Sequence, residues 1–266
     1  MRGEMKHKHS LLVISFIVIM IIFQSSNLIL TVKADTQVEV LTHSSYIDGD
    51  GWFNIVGEVQ NVGDQPVEYV EIQATFYNSS NGIIETFFNY TFSELSIILP
   101  ERKSPFLLTL WDQSLSSNID HYSLSVTFSA TDSMPESLRI LSNSSYYDIG
   151  GGLNIVGEVE NTASEGATYV YVIATCYDEY GTVINLGSNS TTDIEAHQQA
   201  PFSITISDNN PESVSYYELT VESFEFAAIP EFNSFISVLF ILSLFGLTIY
   251  VISRNYSKKS LITNVE

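Results

Sequence analysis

A long internal duplication is the feature that most limits how this sequence can fold. Residues 41–77 align with residues 141–177 at an offset of 100, with eighteen identities in thirty-seven positions. The strongest block, Asn54–Val59, recurs unchanged as Asn154–Val159. Shorter matches follow at other offsets: Pro105-Phe106 with Pro201-Phe202, and Tyr122 with Tyr217. A repeat of this length is a whole small domain, so two copies of one fold are predicted.

Each repeat has the residue pattern of β-strands. In repeat 1, alternate positions form an apolar stripe over 53–60 and again over 70–76. A period of two places one face against a core and the other in water. Turn residues separate these runs at 61–64, and the Asn81-Gly82 pair is typical of a tight turn. With further alternating runs from Phe106 and from Tyr122, about 95 residues fit two sheets packed face to face, as in an immunoglobulin-like sandwich.

Both ends of the chain carry apolar segments. Basic residues precede the run Leu11–Phe23, and Val32-Lys33-Ala34 is typical of a signal-peptidase site, with an uncleaved signal anchor as the alternative. Phe235–Ile252 is apolar over eighteen residues, about 27 Å as a helix against a hydrocarbon core of about 30 Å. A buried core helix is the less favoured interpretation because the run has no polar face. Basic residues after it predict a cytoplasmic C-terminus and an extracellular location for 35–230.

These patterns predict an all-β protein of two tandem immunoglobulin-like β-sandwich domains, with an N-terminal signal peptide and one C-terminal transmembrane helix. The predicted regions are the signal peptide 1–34, the first sandwich 35–131, a linker 132–137, the second sandwich 138–228, the transmembrane helix 235–252 and the cytoplasmic tail 253–266.

The predicted extracellular region is strongly acidic. The whole chain has 10 basic and 31 acidic residues. Only Arg102, Lys103 and Arg139 among the basic residues lie within 35–230, with 28 acidic ones, which gives that region a net charge of −25. Phosphate binding requires a basic surface, so nucleic acid is excluded as a partner and anionic lipid is disfavoured. Cys176 is the only cysteine, so no disulfide forms within the chain.

The residues that the repeats share resemble the FxLYD domain. In repeat 2 they are Ile155, Gly157, Val159, Asn161, Tyr177, Asp178, Gly181 and Ala200-Pro201-Phe202. Repeat 1 departs from the family pattern at Asn78 and Ser104, where the family has aspartate and alanine. The resemblance covers both repeats. It implies a small immunoglobulin-like module of exported microbial proteins, and it brings no catalytic residues.

A second resemblance concerns the residues before the C-terminal apolar run. The stretch Ile229-Pro230-Glu231-Phe232, followed by that run and a basic tail, resembles the PEF-CTERM sorting signals of archaeal surface proteins. The resemblance implies cleavage near the motif and transfer to an anchor. Because the tail after Ile252 has fourteen residues, retention of the helix is equally open.

Few residues are candidates for chemistry. Asp48 and Asp50 form the one weak candidate for a metal site, for calcium, and a plain turn is the alternative. The histidines lack the spacing of zinc ligands. Cys176 is expected in the core as an inert thiol, and Glu58 and Glu158 on outward, solvated strand positions. No catalytic residue and no cofactor are predicted.

An aromatic stripe in repeat 2 is the predicted interaction face. Tyr171 and Ile173 align with Glu71 and Gln73, on the strand face that is expected to meet water. An exposed aromatic patch marks a ligand or protein interface, and packing against a neighbouring strand, the first domain or a glycan is the alternative. The predicted face comprises Tyr169, Tyr171, Ile173 and Tyr177.

Four sequons in the outer region predict glycosylation if the host glycosylates exported proteins. They begin at Asn78, Asn89, Asn143 and Asn189.

The expected function follows from these predictions. We expect a noncatalytic, membrane-anchored protein of the cell surface, of archaeal type, whose tandem domains mediate protein or glycan interaction or envelope structure. The alternative is an accessory or sensor subunit of a membrane transporter or enzyme complex. An extracellular hydrolase is disfavoured because no set of nucleophile and base is recognisable.

Overall fold

The computed structural model describes residues 37–87, 89–207 and 211–230, and this part of the chain is all-β with a sandwich-like architecture. The predicted signal peptide 1–34, transmembrane helix 235–252 and tail 253–266 lie outside the described residues. Within the described ranges, no helix combines the length and the apolar character needed to cross a membrane.

Eight strands form what we call the N-terminal unit: β1 (Val38–Ile47), β2 (Phe53–Asn61), β3 (Val67–Tyr77), β4 (Ile83–Ile84), β5 (Tyr90–Phe92), β6 (Ile97–Ile98), β7 (Lys103–Leu110) and β8 (His121–Ala130). One sheet has the order β1-β2-β7, and in the other β3 pairs with β4, β5, β6 and β8. A short helix, α1 (Gln113–Ser116), precedes β8. Ile55 and Phe106 from the first sheet share one core with Ile72 and Phe76 from the second, so the two sheets pack face to face.

Seven strands form the C-terminal unit: β9 (Glu136–Tyr147), β10 (Leu153–Asn161), β11 (Tyr171–Tyr177), β12 (Val183–Ser190), β13 (Gln199–Ile206), β14 (Tyr216–Glu222) and β15 (Ala227–Ala228). They form one sheet of order β12-β11-β14-β15-β9-β10-β13. Strand β15 pairs antiparallel with β14 and parallel with β9, which joins the two halves. Val172 and Cys176 from one half share a core with Ile155 and Phe202 from the other. Strand β9 begins at Glu136, so the last two residues of the predicted linker belong to a strand.

The repeated glycine makes room for an aromatic ring. Gly57 pairs with Phe106 across β2 and β7, and Gly157 pairs with Phe202 across β10 and β13. A Cβ atom added at Gly57 would lie 2.5 Å from Cζ of Phe106. A Cβ atom at Gly157 would lie 2.7 Å from Cζ of Phe202 and 2.1 Å from the carbonyl oxygen of Ser142. The repeated glycine and phenylalanine therefore meet a packing requirement rather than a chemical one.

The repeated asparagine stabilises, through hydrogen bonds, the loop that follows the second strand of each repeat. Asn61 is fully buried, and its Nδ2 donates to the carbonyl oxygens of Gln65 and Ile98, both at 2.8 Å. Its Oδ1 accepts from the backbone N–H of Gly63 at 3.0 Å. Asn161 makes the equivalent bonds in repeat 2. A buried amide with its donors and acceptor paired stabilises the loop, so this identity is structural.

Candidate functional site: the seam between the two units

Strand β11 is buried on both of its faces. Val172, Ala174 and Cys176 lie in the core of the C-terminal unit. Ile173, on the opposite face, is 0% exposed and packs into the core of the N-terminal unit, and Tyr177 is 3% exposed. These two members of the predicted interaction face are therefore buried. Their partner is the first domain, which is one of the alternatives that the sequence leaves open.

We call the contact between the two units the seam. Its apolar part is a cluster that combines Val56 and Leu107 of the N-terminal unit with Tyr177 and Val183 of the C-terminal unit. Val56 and Val183 are both 0% exposed. Because β2 is covered by the core on one side and by the seam on the other, Val56 is buried although it alternates with core positions.

A polar network crosses the seam beside this cluster. The Oη of Tyr177 donates to Oε1 of Glu58 at 2.7 Å. The Nζ of Lys103 lies 3.2 Å from Oε2 of Glu58 and 3.6 Å from Oε2 of Glu218. Glu58 is 3% exposed, so the expectation of a solvated Glu58 is wrong, because the C-terminal unit covers that strand face. Its counterpart Glu158 is exposed, as expected.

The network shifts the titration of its members. Burial raises the pKa of Glu58, and the hydrogen bond from Tyr177 and the charge of Lys103 offset only part of that shift. Burial by itself lowers the pKa of Lys103, but the charges of Glu58 and Glu218 outweigh this effect and the pKa is raised. Burial and the neighbouring carboxylates also raise the pKa of Tyr177, so its hydroxyl stays protonated as the donor.

Further hydrogen bonds join the units at other points of the seam. Oγ of Ser44 donates to the carbonyl oxygen of Val183 at 2.7 Å. Nη2 of Arg102 donates to the carbonyl oxygen of Ala228 at 2.7 Å and lies 3.3 Å from Oε2 of Glu136. Arg102 and Lys103 are two of the three basic residues in the acidic region 35–230. The basic pair Arg102-Lys103 within this acidic region is a sequence signal that could have pointed to these contacts.

The two repeats differ where the seam is made. Ile173 and Tyr171 correspond to Gln73 and Glu71 of repeat 1, and Leu107 and Lys103 correspond to Ser203 and Gln199 of repeat 2. The seam is formed by one face of the N-terminal unit and a different face of the C-terminal unit. If each unit carried both faces, such a head-to-tail contact could repeat and join many units. The counterparts of these four seam residues, Glu71, Gln73, Gln199 and Ser203, are all polar.

A cleft opens at one end of the seam, with a volume of ≈ 340 Å³. The ring of Tyr169 lies nearly parallel to the rings of Tyr171 and Phe224, at centroid distances of 6.4 and 5.2 Å. We call this the seam cleft, and it is lined by Ser93, Glu94 and Ser96 of the N-terminal unit and by Tyr169, Tyr171, Glu222, Ser223 and Phe224 of the C-terminal unit. Both repeats therefore contribute to one site.

Two carboxylates lie in the seam cleft. Glu94 accepts a hydrogen bond from Oη of Tyr171 at 3.3 Å. Glu222 accepts from the backbone N–H of Ser96 at 2.9 Å and from its hydroxyl at 3.0 Å. Burial raises the pKa of Glu94 and of Glu222, and these hydrogen bonds offset only part of each shift. The cleft thus combines flat aromatic surface with partly desolvated negative charge.

Two repeat-related tyrosines have strained backbones beside the seam cleft. Tyr69 has a φ of 51° and Tyr169 a φ of 52°, and their exposed fractions are 70% and 55%. A left-handed conformation is unfavourable for an aromatic residue, and such strain concentrates at functional sites. Tyr69 lines a neighbouring pocket of ≈ 380 Å³ that shares Ser93, Glu94 and Ser96 with the seam cleft. The two tyrosines therefore line adjoining pockets that share the segment from Ser93 to Ser96.

The buried carboxylates predict how stability depends on pH. Glu58, Glu94 and Glu222 have raised pKa values because burial disfavours their charged forms. Such groups bind protons more tightly in the folded chain, so stability rises as the pH falls through their folded pKa values and the gain is complete below the ordinary value of 4.5. We expect the melting temperature, measured by calorimetry, to rise between neutral pH and about pH 4.5, because the three carboxylates outweigh His43, whose pKa is lowered by burial and whose titration opposes the rise below pH 6.5.

The melting temperature should fall again at still lower pH, and a double variant provides a control. Asp48, Asp148 and Glu225 have lowered pKa values because the hydrogen bonds that their carboxylates accept outweigh desolvation, so the trend should reverse below the ordinary values of 4.5 for Glu225 and 3.8 for the two aspartates. The double variant Glu94→Gln/Glu222→Gln should show a smaller rise in melting temperature between neutral pH and about pH 4.5. A melting temperature that falls steadily from neutral pH would contradict this account of the seam.

The calcium candidate Asp48 holds a turn in the structure. Oδ1 of Asp48 accepts from the backbone N–H groups of Asp50 and Trp52, and Oδ2 accepts from Nδ2 of Asn54. Asp148 makes the equivalent bonds without a second carboxylate, so the turn forms in both repeats without Asp50. Among the described residues, no three His, Cys, Asp or Glu side chains converge to hold a metal ion.

Calcium removal tests this interpretation of the turn. We expect EDTA to leave the melting temperature of the chain unchanged, because backbone and amide donors already bind both oxygens of Asp48. Asp48→Ala should lower the melting temperature with or without calcium, since it leaves those donors unpaired. A melting temperature that rises with added calcium in the unaltered chain, and not in Asp48→Ala, would contradict the interpretation.

The remaining sequence candidates lie apart from the seam cleft. Cys176 is fully buried, and burial raises the pKa of its thiol to about 12, which leaves it unreactive at neutral pH. Among the sequons, Asn143 and Asn189 are exposed, whereas Asn78 and Asn89 are half-buried. Oδ1 of Asn78 accepts backbone bonds in its turn. None of the four sequon asparagines lines the seam cleft.

Comparisons with known proteins give no functional conclusion. No family model and no curated protein matches the chain. Three solved structures that match with low TM-scores are IrmA from Escherichia coli (16% identity, 37% of this chain and 86% of that one, TM-score 0.26), a DUF4785 family protein from Legionella pneumophila (13%, 74% and 55%, 0.30) and beta-glucuronidase 2 from Bacteroides uniformis (11%, 66% and 25%, 0.28). The chain spans about half of the Legionella protein and a quarter of the glucuronidase. At these scores the likeness does not extend to activity.

Proposed function

We propose that this chain is a noncatalytic protein of the cell surface. Residues 235–252 anchor it in the membrane, with residues 35–230 outside and the tail 253–266 inside. Its tandem immunoglobulin-like sandwiches act as one body through the seam, and together they bind another envelope protein. The observation that carries the proposal is the seam cleft, an exposed aromatic and acidic surface that both units build.

The residues of the seam cleft favour binding of a protein. Tyr and Phe provide large, rigid contact area, and such side chains are enriched at protein interfaces. Tyr169 and Phe224 are exposed by 55% and 72%, yet each stacks on its neighbour, so their positions are already fixed. A surface that is ordered before binding loses little conformational entropy when the partner arrives.

The seam supports a noncatalytic role. Glu58 is the buried carboxylate with the strongest claim to acid–base chemistry, since it lines a groove of ≈ 460 Å³. Tyr177 and Lys103 already bind its two oxygens. This pairing fits the joining of two units better than proton transfer to a substrate.

Cross-linking in intact producing cells tests the proposal. A photoreactive phenylalanine analogue that replaces Tyr169 in the full chain should give a cross-linked species larger than the chain, and protease should digest the added mass. The matched control places the same analogue at Tyr180, which is 84% exposed and does not line the seam cleft. Cross-linked species of equal yield at both positions, or none at Tyr169, would reject the proposal. Added mass that only glycosidases remove would replace the protein partner by a glycan.

A further inference from the structure

We propose that the seam cleft binds the ammonium or guanidinium group of a basic side chain on an extended segment of the partner protein. This inference rests on the proposed function and specifies the chemistry of its ligand. Tyr169, Tyr171 and Phe224 supply aromatic surface for the cation, and Glu94 and Glu222 supply negative charge.

Among the described residues, no positive charge balances the two carboxylates. The three basic residues within the described ranges are engaged elsewhere: Arg102 with Glu136, Lys103 with Glu58, and Arg139 with Glu160. The lining of the seam cleft contains no basic residue. A partly buried carboxylate without a cation loses hydration and gains no ion pair in return. A cation supplied by a ligand would compensate for the lost hydration of the carboxylates. The cleft therefore favours a positively charged ligand over a neutral or anionic one.

The aromatic surface suits the same ligand. A cation within about 6 Å of an aromatic ring face is attracted by the negative face of the ring, and the attraction is stronger where water is displaced. The ring of Tyr169 lies nearly parallel to the rings of Tyr171 and Phe224, with interplanar angles of 11° and 10°. Tyr171 also donates to Glu94, so an aromatic ring and a carboxylate are held side by side. Aromatic rings combined with carboxylates recognise alkylammonium groups through both effects.

The strained backbone explains how the ring of Tyr169 is held in place. The backbone N–H of Tyr169 donates to Oδ1 of Asp193 at 3.0 Å, which holds the left-handed conformation. An asparagine tolerates this conformation better than a tyrosine does. An exposed tyrosine at position 169 therefore lowers the stability of the fold, and we attribute its presence to ligand binding.

The neighbouring pocket indicates that the occupant is an extended segment rather than a single small cation. That pocket, of ≈ 380 Å³, is lined by Tyr69 and Phe92 and shares Glu94 with the seam cleft. Phe92 is 49% exposed. Two adjoining aromatic pockets that share a carboxylate can each take a side chain of the same peptide, which matches a short run of basic residues.

Peptide titration tests the inference with the full chain in detergent micelles. The probe is an N-acetylated, C-amidated tetralysine peptide, and the control is the same peptide with every lysine acetylated, which removes the charge and keeps the length. At about 0.15 M salt, long-range attraction by the acidic exterior is largely screened. Calorimetry should detect binding of tetralysine and at least about tenfold weaker binding of the acetylated peptide.

Two variants with matched controls locate the binding. Glu94→Gln, which keeps an acceptor for Tyr171, should weaken tetralysine binding about tenfold, whereas Glu179→Gln changes the net charge equally at an exposed turn and should leave binding within about twofold. Tyr169→Asn should weaken binding about fivefold without lowering the melting temperature, and Tyr180→Asn should leave binding unchanged. The unchanged melting temperature separates lost binding from lost folding.

The outcomes distinguish this inference from the proposed function. Equal binding of the two peptides, or equal losses in Glu94→Gln and Glu179→Gln, would overturn the inference. If Tyr169 cross-links to a protein in cells but tetralysine neither binds the chain nor reduces that cross-link, the cation site is rejected and the proposed function stands. If tetralysine binds as expected but Tyr169 forms no cross-link, the cation site stands and the protein-binding role is rejected.

Discussion

Replacing Ile173 by glutamine, the residue at the equivalent position of repeat 1, is expected to lower the free energy of unfolding of the full chain by about 3 kcal/mol. Ile173 is 0% exposed and packs into the core of the N-terminal unit although it belongs to a strand of the C-terminal unit. The glutamine amide would lose hydration in an apolar contact, and the seam would weaken. Urea denaturation followed by tryptophan fluorescence measures the effect, because Trp52 and Trp111 contact each other in the N-terminal unit, with ring centroids 5.3 Å apart.

The reciprocal substitution is the matched control. Gln73 occupies the same position in repeat 1 and is exposed, so Gln73→Ile should change the free energy of unfolding by less than about 0.5 kcal/mol. The two substitutions exchange the same pair of residues in opposite directions. Equal effects at the two positions, or a neutral Ile173→Gln, would contradict burial of Ile173 at the seam.

Gly157→Ala is expected to have a comparably large effect, about 3 kcal/mol of lost stability. The added Cβ would lie 2.1 Å from the carbonyl oxygen of Ser142 and 2.7 Å from Cζ of Phe202. A backbone oxygen cannot move away as a flexible side chain does, so the β9–β10 pairing must open. Thermal unfolding followed by far-ultraviolet circular dichroism measures the loss.

Gly166→Ala serves as the comparison for this substitution. A Cβ atom at Gly166 would have its nearest neighbour, the carbonyl oxygen of Ile194, at 3.8 Å, which is an ordinary contact. We expect Gly166→Ala to be neutral or slightly stabilising, since alanine lowers the entropy of the unfolded chain. A Gly157→Ala variant as stable as Gly166→Ala would show that glycine at position 157 is not required for packing.

The strand architecture could be predicted because its signals are local. Alternation over 53–60 and 70–76 predicted β2 and β3, and both strands are confirmed. The turn at Asn81-Gly82 is also confirmed, with a left-handed Asn81 at a φ of 60°. Side-chain period and turn chemistry depend on neighbouring residues alone, so a single sequence contains them.

There is a physical reason why the seam could not be predicted from the sequence. A period of two identifies two faces of a strand, but it does not say what covers the second face. For β11 the second face was expected in water, and the N-terminal unit covers Ile173 and Tyr177 instead. The same error placed Glu58 in solvent. Residues far apart in sequence make each of these contacts, and no local pattern encodes their meeting.

The difference between the repeats did contain part of this information. Ile173 and Tyr171 stand where repeat 1 has polar residues, and the sequence singled them out for that reason. What could not be seen was that Leu107 and Lys103, also different between the repeats, lie on the opposite side of the same contact. Positions at which duplicated domains diverge from polar to apolar are candidates for the contact between them.

The seam cleft combines a predicted and an unpredicted part. Tyr169 and Tyr171 belong to the predicted interaction face, whereas Glu94, Glu222 and Phe224 were not singled out. Their chain segments meet only because the two units pack together. A composite site of this kind depends on the seam, so a variant that opens the seam should also lose the cleft.

Differential scanning calorimetry of the unaltered full chain tests most directly whether the two units are coupled through the seam. We expect one transition whose calorimetric enthalpy equals its van 't Hoff enthalpy, because neither unit unfolds without exposing the buried face of the other. In Ile173→Gln this transition should shift to lower temperature. Two separate transitions in the unaltered chain, with midpoints that Ile173→Gln does not shift, would contradict the account.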